Sequence, residues 1–249
     1  MRNINFNENF FNKWTEQMAY IFGFWYADGC IYMHNYFRNN KKYSVKTFTI
    51  GNTDKQIMDD ISSLLNVTYC INNPKNKNHK KYYVIQIKCN KFFDFCYLLV
   101  GTMDKTNSTS LPNIPPKYLR HFIRGFFDGD GSIFIKKYKS RHGKQITNLC
   151  SSFAASKESW LALNELKIML MKLIFTGNKN IVMQKCIVGS GSKLVYNQYD
   201  TMLLCEWIYK DATIFMKRKK KIWDDFDKDK LKDSIKYFNK TKRAQGIEP

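Results

Sequence analysis

Acidic side chains are scarce in this sequence: 21 Asp and Glu stand against 41 Lys and Arg, which leaves a formal charge of +20. So large a surplus of base, spread over the whole chain, favours a polyanionic partner, because each Lys or Arg set beside a phosphate releases a condensed counterion. The seven cysteines (Cys30, Cys70, Cys89, Cys96, Cys150, Cys186, Cys205) include no C-x-x-C pair. No Cys/His spacing would close a zinc tetrahedron, so a structural zinc is excluded and the thiols are expected to be reduced and mostly buried. No apolar run approaches the ~20 residues of a membrane span, and no basic-then-apolar signal opens the chain. A soluble intracellular protein without a membrane partner is expected. What is plentiful is core material, with 44% hydrophobic and 16% aromatic residues. The richness in Asn, Lys, Ile, Phe and Tyr fits an AT-rich coding genome: an organelle (mitochondrion or chloroplast), a phage-infected cell or a bacterial cytoplasm.

The chain repeats itself. YIFGFWYADGCIYM at Tyr20 to Met33 matches FIRGFFDGDGSIFI at Phe122 to Ile135, with Gly23 over Gly125, Phe24 over Phe126, Asp28 over Asp130, Gly29 over Gly131 and Ile31 over Ile133. Each copy is followed by alternating strand patterns, a helical segment with apolar residues at three and four spacing, further strand material and a closing helix. Thr53 and Ser156 stand where the caps of the second helices are expected. The reading is an α/β (α+β) fold of two αββαββα halves, residues 1–100 and 118–216. A polar linker at 101–117 with three prolines joins them, and a basic helix and tail occupy 217–249. In that tail Ile222, Trp223, Phe226, Leu231, Ile235 and Phe238 fall roughly on one stripe, and the Lys/Arg cluster at 217–221 reads as a phosphate-facing or solvated helix end.

The repeated motif carries the chemistry. On a helix, residues four apart share a face, so Gly23 with Ala27 and Gly125 with Gly129 give two small-residue stripes along which two backbones can approach closely. Asp28 and Asp130 are the last side chains before Gly29 and Gly131, the glycines expected in left-handed turns at the helix ends. Each carboxylate then sits at the negative end of a helix dipole, and pairing the helices brings two anions together. A divalent cation relieves that cost. Mg²⁺ is the natural candidate, taking oxygen ligands from Asp28 and Asp130 and completing its shell with water and phosphate oxygens. Metal beside a recruited phosphodiester supplies the parts for in-line hydrolysis. Asp128 has no acidic counterpart, since Tyr26 stands there in the first copy, and reads as a capping or structural residue.

IFGFWYADG (Ile21 to Gly29) and IRGFFDGDG (Ile123 to Gly131) resemble the two motifs of single-chain LAGLIDADG homing endonucleases, and LPNIPPKYLRHFIRGFFDGDGSI resembles the lead into the second motif in the branch carried by introns and phages. The resemblance spans roughly residues 15 to 225. It implies two motif helices packed at the interface of pseudo-symmetric halves, and antiparallel sheets forming a saddle over a long asymmetric double-stranded DNA target. It also implies ligation of Mg²⁺ or Mn²⁺ by Asp28 and Asp130 with the adjoining Gly29 and Gly131, binding of Ca²⁺ without cleavage, and cleavage of both strands to leave 3′ overhangs, by a monomer. Strand alternation puts Tyr32, His34 and Tyr36, then Phe134, Lys136 and Tyr138, on the face opposite Ile31 and Ile133, the face such enzymes lay on DNA. Arg38, Lys41, Lys42, Lys137, Lys139, Arg141 and Lys144 follow in the turns as phosphate contacts. Basic residues near the metals are a further family feature. Lys88 in VIQIKCNK fits that catalytic role, while the second half offers Gln198 or Tyr199 at the matching place, or Lys185 or Lys193. Asn52 and Lys157, just before the second helices, are weaker candidates. The alternatives are a maturase with intron RNA as partner, or a catalytically silent DNA-binding protein on the same scaffold. Protein splicing is set aside, because the chain opens on Met and closes on GIEP rather than carrying a Cys or Ser start and a His-Asn end.

Overall fold

The computed structural model describes residues 6–73, 80–105, 110–156, 158–174, 181–185 and 190–227, with the backbone alone at 181–185 and Ser190. Lys157, Cys186, Leu231, Ile235 and Phe238 fall outside the described residues, as does the Lys185 side chain. Seven helices and eight strands occur among those described. The first repeat runs α1 (Glu16–Asp28), β1 (Gly29–Arg38), β2 (Lys41–Asn52), α2 (Lys55–Leu65), β3 (Cys70–Asn72), β4 (Tyr82–Lys88) and α3 (Asn90–Val100). The second runs α4 (Pro116–Asp130), β5 (Gly131–Lys139), β6 (Gln145–Ser156), α5 (Trp160–Ile174), β7 (Ile181–Lys185), β8 (Ser190–Tyr196) and α6 (Gln198–Tyr209), and α7 (Lys217–Asp224) follows. Both sheets are antiparallel, in the orders β1-β2-β4-β3 and β5-β6-β8-β7. The αββαββα pattern expected from the sequence is therefore present twice.

By its contacts the chain divides into one unit of Met1–Asp130 with Asp211–Lys217 and another of Gly131–Lys210 with Arg218–Pro249. The division falls at the end of α4 rather than in the linker, because α4 packs along α1. In the first unit α1 is buried almost all round, from Met18 to Tyr26. Thr15 caps it by accepting from the Met18 N–H at 3.1 Å. Trp25 stacks on Phe22 and on Phe48 of β2, and Phe11, Phe48 and Phe92 continue the aromatic core edge to face. α2 adds Ile57, Met58, Ile61 and Leu65. Its cap is Asp54, one residue beyond the expected Thr53. The second unit buries Leu149, Phe153, Leu194 and Tyr196 of its sheet with Leu163, Leu166 and Leu170 of α5 and Leu204 and Ile208 of α6. Ser156 does cap the approach to α5, its hydroxyl accepting from the Ser159 N–H.

The β1–β2 hairpin outruns its core. Its turn residues Asn39 and Asn40 have φ of 50° and 56°, and Arg38 pairs with Lys41, the two-residue mirror-image turn that matches strand twist. Ile31 is buried, but Met33 is 44% and Phe37 74% exposed, so beyond Ile31 the ribbon is bare on both faces. Alternation places side chains by face, but it does not say where the core beneath them ends.

α4 opens on Pro116, a residue suited to the first helical position. Its buried side includes polar groups that tie the first unit together. Asp128 accepts from the Tyr20 hydroxyl at 2.8 Å and from the Met216 N–H at 2.8 Å, and Arg124 donates to the Ile214 carbonyl at 2.9 Å. Asp128 is thus placed as a strut, in line with its lack of an acidic counterpart.

His121 faces α1 from within the same helix, 2% exposed and 3.6 Å from Glu16. Burial, and then the Arg124 guanidinium, press its pKa down to about 4 against the opposing pull of Glu16. Because the folded pKa lies below the unfolded value, the unfolded chain takes up the proton first as pH falls. Stability is therefore expected to decline between about pH 6.5 and pH 4 by on the order of 3 kcal/mol. Urea unfolding of wild type and His121→Gln across that range checks this, the variant showing the flatter profile.

Candidate metal and nucleic-acid site

The floor of the site is the α1–α4 pair. A Cβ added at Gly23 would lie 2.0 Å from the Phe122 carbonyl oxygen, and one at Gly125 would lie 2.0 Å from the Tyr20 carbonyl oxygen and 2.7 Å from the Phe24 nitrogen. At Gly129 it would meet the Ala27 Cβ at 2.2 Å and the Asp28 Oδ2 at 3.3 Å. The contacts advance together along both helices, so α1 and α4 run parallel and end at the same level. Asp28 and Asp130 are their last residues.

The glycines after the acids act differently from expectation. Gly29 has φ −104° and ψ 176°, extended rather than left-handed, and Gly131 is not among the positive-φ glycines. The helices run straight into β1 and β5. Gly29 is required by space instead, since a Cβ there would lie 2.1 Å from Trp25 Cδ1.

Asp28 is half-buried and accepts from Asn52 Nδ2 at 2.5 Å, while the Asn52 oxygen holds the Asp54 N–H. Asn52 thus orients the carboxylate from the end of β2. Beside it lies a residue that the sequence reading passed over. Lys105, in the stretch read as linker, donates to the carbonyls of Tyr26 at 2.8 Å and Ala27 at 2.9 Å and lies 5.8 Å over the Trp25 ring. Burial lowers its pKa, and Asp130 and then Asp28 pull the other way, so both carboxylates act on one ammonium. Nothing in a polar segment rich in Asn, Ser and Thr distinguishes such a lysine from a solvated one. A weak signal was its position, following the closing helix of the repeat.

Lys88, given the supporting role in the sequence reading, is exposed at the end of β4 in the row Tyr32–Thr47–Lys88. That row belongs to the open face of the first sheet, with His34, Tyr36 and Gln86. Tyr36 stacks on its cross-strand partner Tyr43 at 5.4 Å, and Gln86 donates to the Tyr32 hydroxyl. Arg38 and Lys41 pair across the hairpin tip on this face, and Lys42 lies on the other. In the second sheet Phe134, Lys136 and Tyr138 are exposed, the Lys136 ammonium lies 5.9 Å over the Tyr138 ring and Asn148 donates to the Tyr138 hydroxyl. Lys137, Lys139, Arg141 and Lys144 are exposed around a loop turned by Gly143 at φ +74°.

By register, the counterpart of Lys88 is Asn197 rather than Gln198 or Tyr199, because Ile50 and Phe153, the partners of Gly29 and Gly131, pair with Ile85 and Leu194. Asn197 caps α6. Lys193 falls on the open face, opposite Ala154. The Gly131 carbonyl is occupied by a different cation, accepting from the buried Lys219 at 2.5 Å.

The donor set suits a hard divalent cation: two carboxylates at the ends of parallel helices, oxygen ligands only, a shell that such an ion completes with water and phosphate oxygens. Among the described residues no cluster of three or more His, Cys, Asp or Glu side chains exists to form a closed, all-protein metal cage.

Two parallel helices that meet through small residues, each ending in an acid and each leading into a four-stranded antiparallel sheet, define the LAGLIDADG architecture, and the chain has the fold of the LAGLIDADG homing endonucleases of the single-chain, two-motif type. Among solved structures it is similar to the LAGLIDADG meganuclease I-CpaMI bound to uncleaved DNA (14% identity, TM-score 0.56, covering 94% of this chain and 97% of that one). It is also similar to the I-LtrWI homing endonuclease bound to target DNA (12%, 0.54, 97% and 94%) and to I-SmaMI bound to an uncleaved DNA target in the presence of calcium ions (14%, 0.51, 95% and 95%). No family model matches the sequence, and comparison with curated proteins gives no match. Among the described residues no helix is long and apolar enough to cross a membrane.

Proposed function

We propose that this protein is a site-specific DNA endonuclease that hydrolyses both strands of a long, asymmetric double-stranded target, leaving 3′ overhangs, with Mg²⁺ or Mn²⁺ as its cofactor. The observation that carries the reading is the convergence of Asp28 and Asp130 at the ends of parallel helices, with the Lys105 ammonium in the field of both. In a chain of charge +20, two carboxylates kept together at helix C-termini, where the helix dipoles oppose them, call for a cation.

The carboxylates of Asp28 and Asp130 would hold the metal, which when bound lowers the pKa of a water and offsets charge on the leaving oxygen. Asn52 fixes the Asp28 carboxylate. Lys105, made less basic by burial, places positive charge at the same spot. On the open sheet faces Tyr32, His34, Tyr36, Phe134, Lys136 and Tyr138 meet base edges, and the lysines and arginines of the hairpin ends hold phosphates and set the register. Lys88 belongs with the DNA-facing set. The DNA-bound neighbours support a nucleic-acid target, and the I-SmaMI complex with calcium supports a divalent ion.

A supercoiled plasmid library carrying randomised inserts, incubated with the protein and Mg²⁺, tests the reading: linear product with one recovered consensus supports it, and uncut plasmid at all metal concentrations refutes it. Binding without cleavage would favour the silent DNA-binding protein, and preference for structured RNA over duplex DNA would favour the maturase. Affinity for the recovered target is also expected to fall steeply with salt, with a log–log slope of several units for ~6–10 phosphate contacts. Fluorescence anisotropy from low to moderate salt measures that slope, and a flat response would remove the basic surface from the account.

A further inference from the structure

Tyr82 begins β4 on the open face of the first sheet, in the alternation that continues through Val84, Gln86 and Lys88. Its ring lies across β2 at Gly51. A Cβ placed there would be 2.6 Å from the phenol oxygen, 2.7 Å from Cε1 and 2.8 Å from Cζ. Gly51 thus leaves the space in which the ring rests, and it does so immediately before the terminal residue of the strand, the Asn52 that grips Asp28. The side chain is 41% exposed, so the ring is seated without being buried. Its surroundings connect it to the acid: burial first, then the charge of Asp28 and of Cys30, raise the phenol pKa. The hydroxyl therefore stays a proton donor through the neutral and mildly alkaline range.

The repeat lacks this device. Carrying the register across, Gly51 corresponds to Ala154 and Tyr82 to Gly191, so the small residue and the aromatic one have no matching pair in the second sheet. A phenol that donates, lies in the field of Asp28 and is open to solvent fits a single phosphate oxygen.

Resting on the endonuclease reading above, we propose that Tyr82, seated on Gly51, donates a hydrogen bond to a phosphate oxygen of the one DNA strand that is cut beside Asp28. The two strand cuts are then chemically unequal, and only one depends on this hydroxyl.

The test uses the full chain with Mg²⁺ and a supercoiled plasmid bearing a target recovered from the randomised library. Tyr82→Phe keeps the ring and removes the donor. It slows cleavage of one strand roughly tenfold, the size of one charge-assisted hydrogen bond, so nicked circles accumulate before linear product. End-labelled duplex identifies the slowed strand. Gly51→Ala, which keeps the hydroxyl on the ring but pushes the ring out of its seat, slows the same strand, and the double variant is no slower than Tyr82→Phe alone. If both variants cut both strands at wild-type rates, or slow both strands equally, the Tyr82 role is wrong while the endonuclease reading stands. If the wild-type chain cuts no DNA, both fall together.

Discussion

Asp28→Asn and Asp130→Asn are each expected to lower DNA cleavage by roughly 10³-fold or more, the scale of losing a group that acts in the transition state. Binding should stay within about threefold, since affinity comes chiefly from the lysines and arginines. Asparagine is the informative replacement: it keeps the shape and can still accept from Asn52 through its remaining oxygen, so Asp28→Asn removes charge without freeing β2. Both variants are also expected to be slightly more stable than wild type, by a few tenths to about 1 kcal/mol, because a carboxylate at a helix C-terminus opposes the dipole. Plasmid cleavage, anisotropy and thermal melts on the same preparations check all three. Loss of activity together with loss of folding would mean that the acids serve structure instead. The two lysines separate in the same assays: Lys105→Ala is expected to depress cleavage, whereas Lys88→Ala, on the open sheet face, chiefly weakens binding.

Gly125→Val is expected to be the most damaging single substitution for the fold, costing roughly 4 kcal/mol or more. Backbone atoms of α1, the Tyr20 carbonyl and the Phe24 nitrogen, occupy the place its side chain would need. No rotamer relieves that clash, so the helices must part, and the burial of Tyr20, Phe24 and Phe122 is lost with them. Gly23→Val fails for the same reason against the Phe122 carbonyl. Gly143→Ala is the control: open space surrounds it, only its φ of +74° opposes a side chain, and a cost of about 1 kcal/mol is expected. Urea midpoints at constant slope compare the three, and a Gly125→Val protein as stable as wild type would contradict the close helix contact.

The central helices were readable in the sequence because their requirements are local and doubled. Gly23, Ala27, Gly125 and Gly129 announce close approach by spacing alone, and Asp28 and Asp130 stand at one register of a repeat. What escaped depends on long-range packing. Lys105 looks solvated until the fold turns it back onto the Tyr26 and Ala27 carbonyls. The glycine at position 29 was rightly singled out for the wrong reason: Trp25, not a left-handed turn, excludes a side chain there. The cap of α2 moved from Thr53 to Asp54, the ordinary uncertainty of a helix boundary.

The bare ribbon beyond Ile31 gives the protein freedom of change. Residues from Met33 to Arg38 and from Lys41 to Ser44 rest on no interior, so replacing them disturbs little of what keeps the chain folded. On the proposed reading, a preference for one DNA sequence drifts toward another through such positions while the motif acids, anchored in the helices, stay as they are.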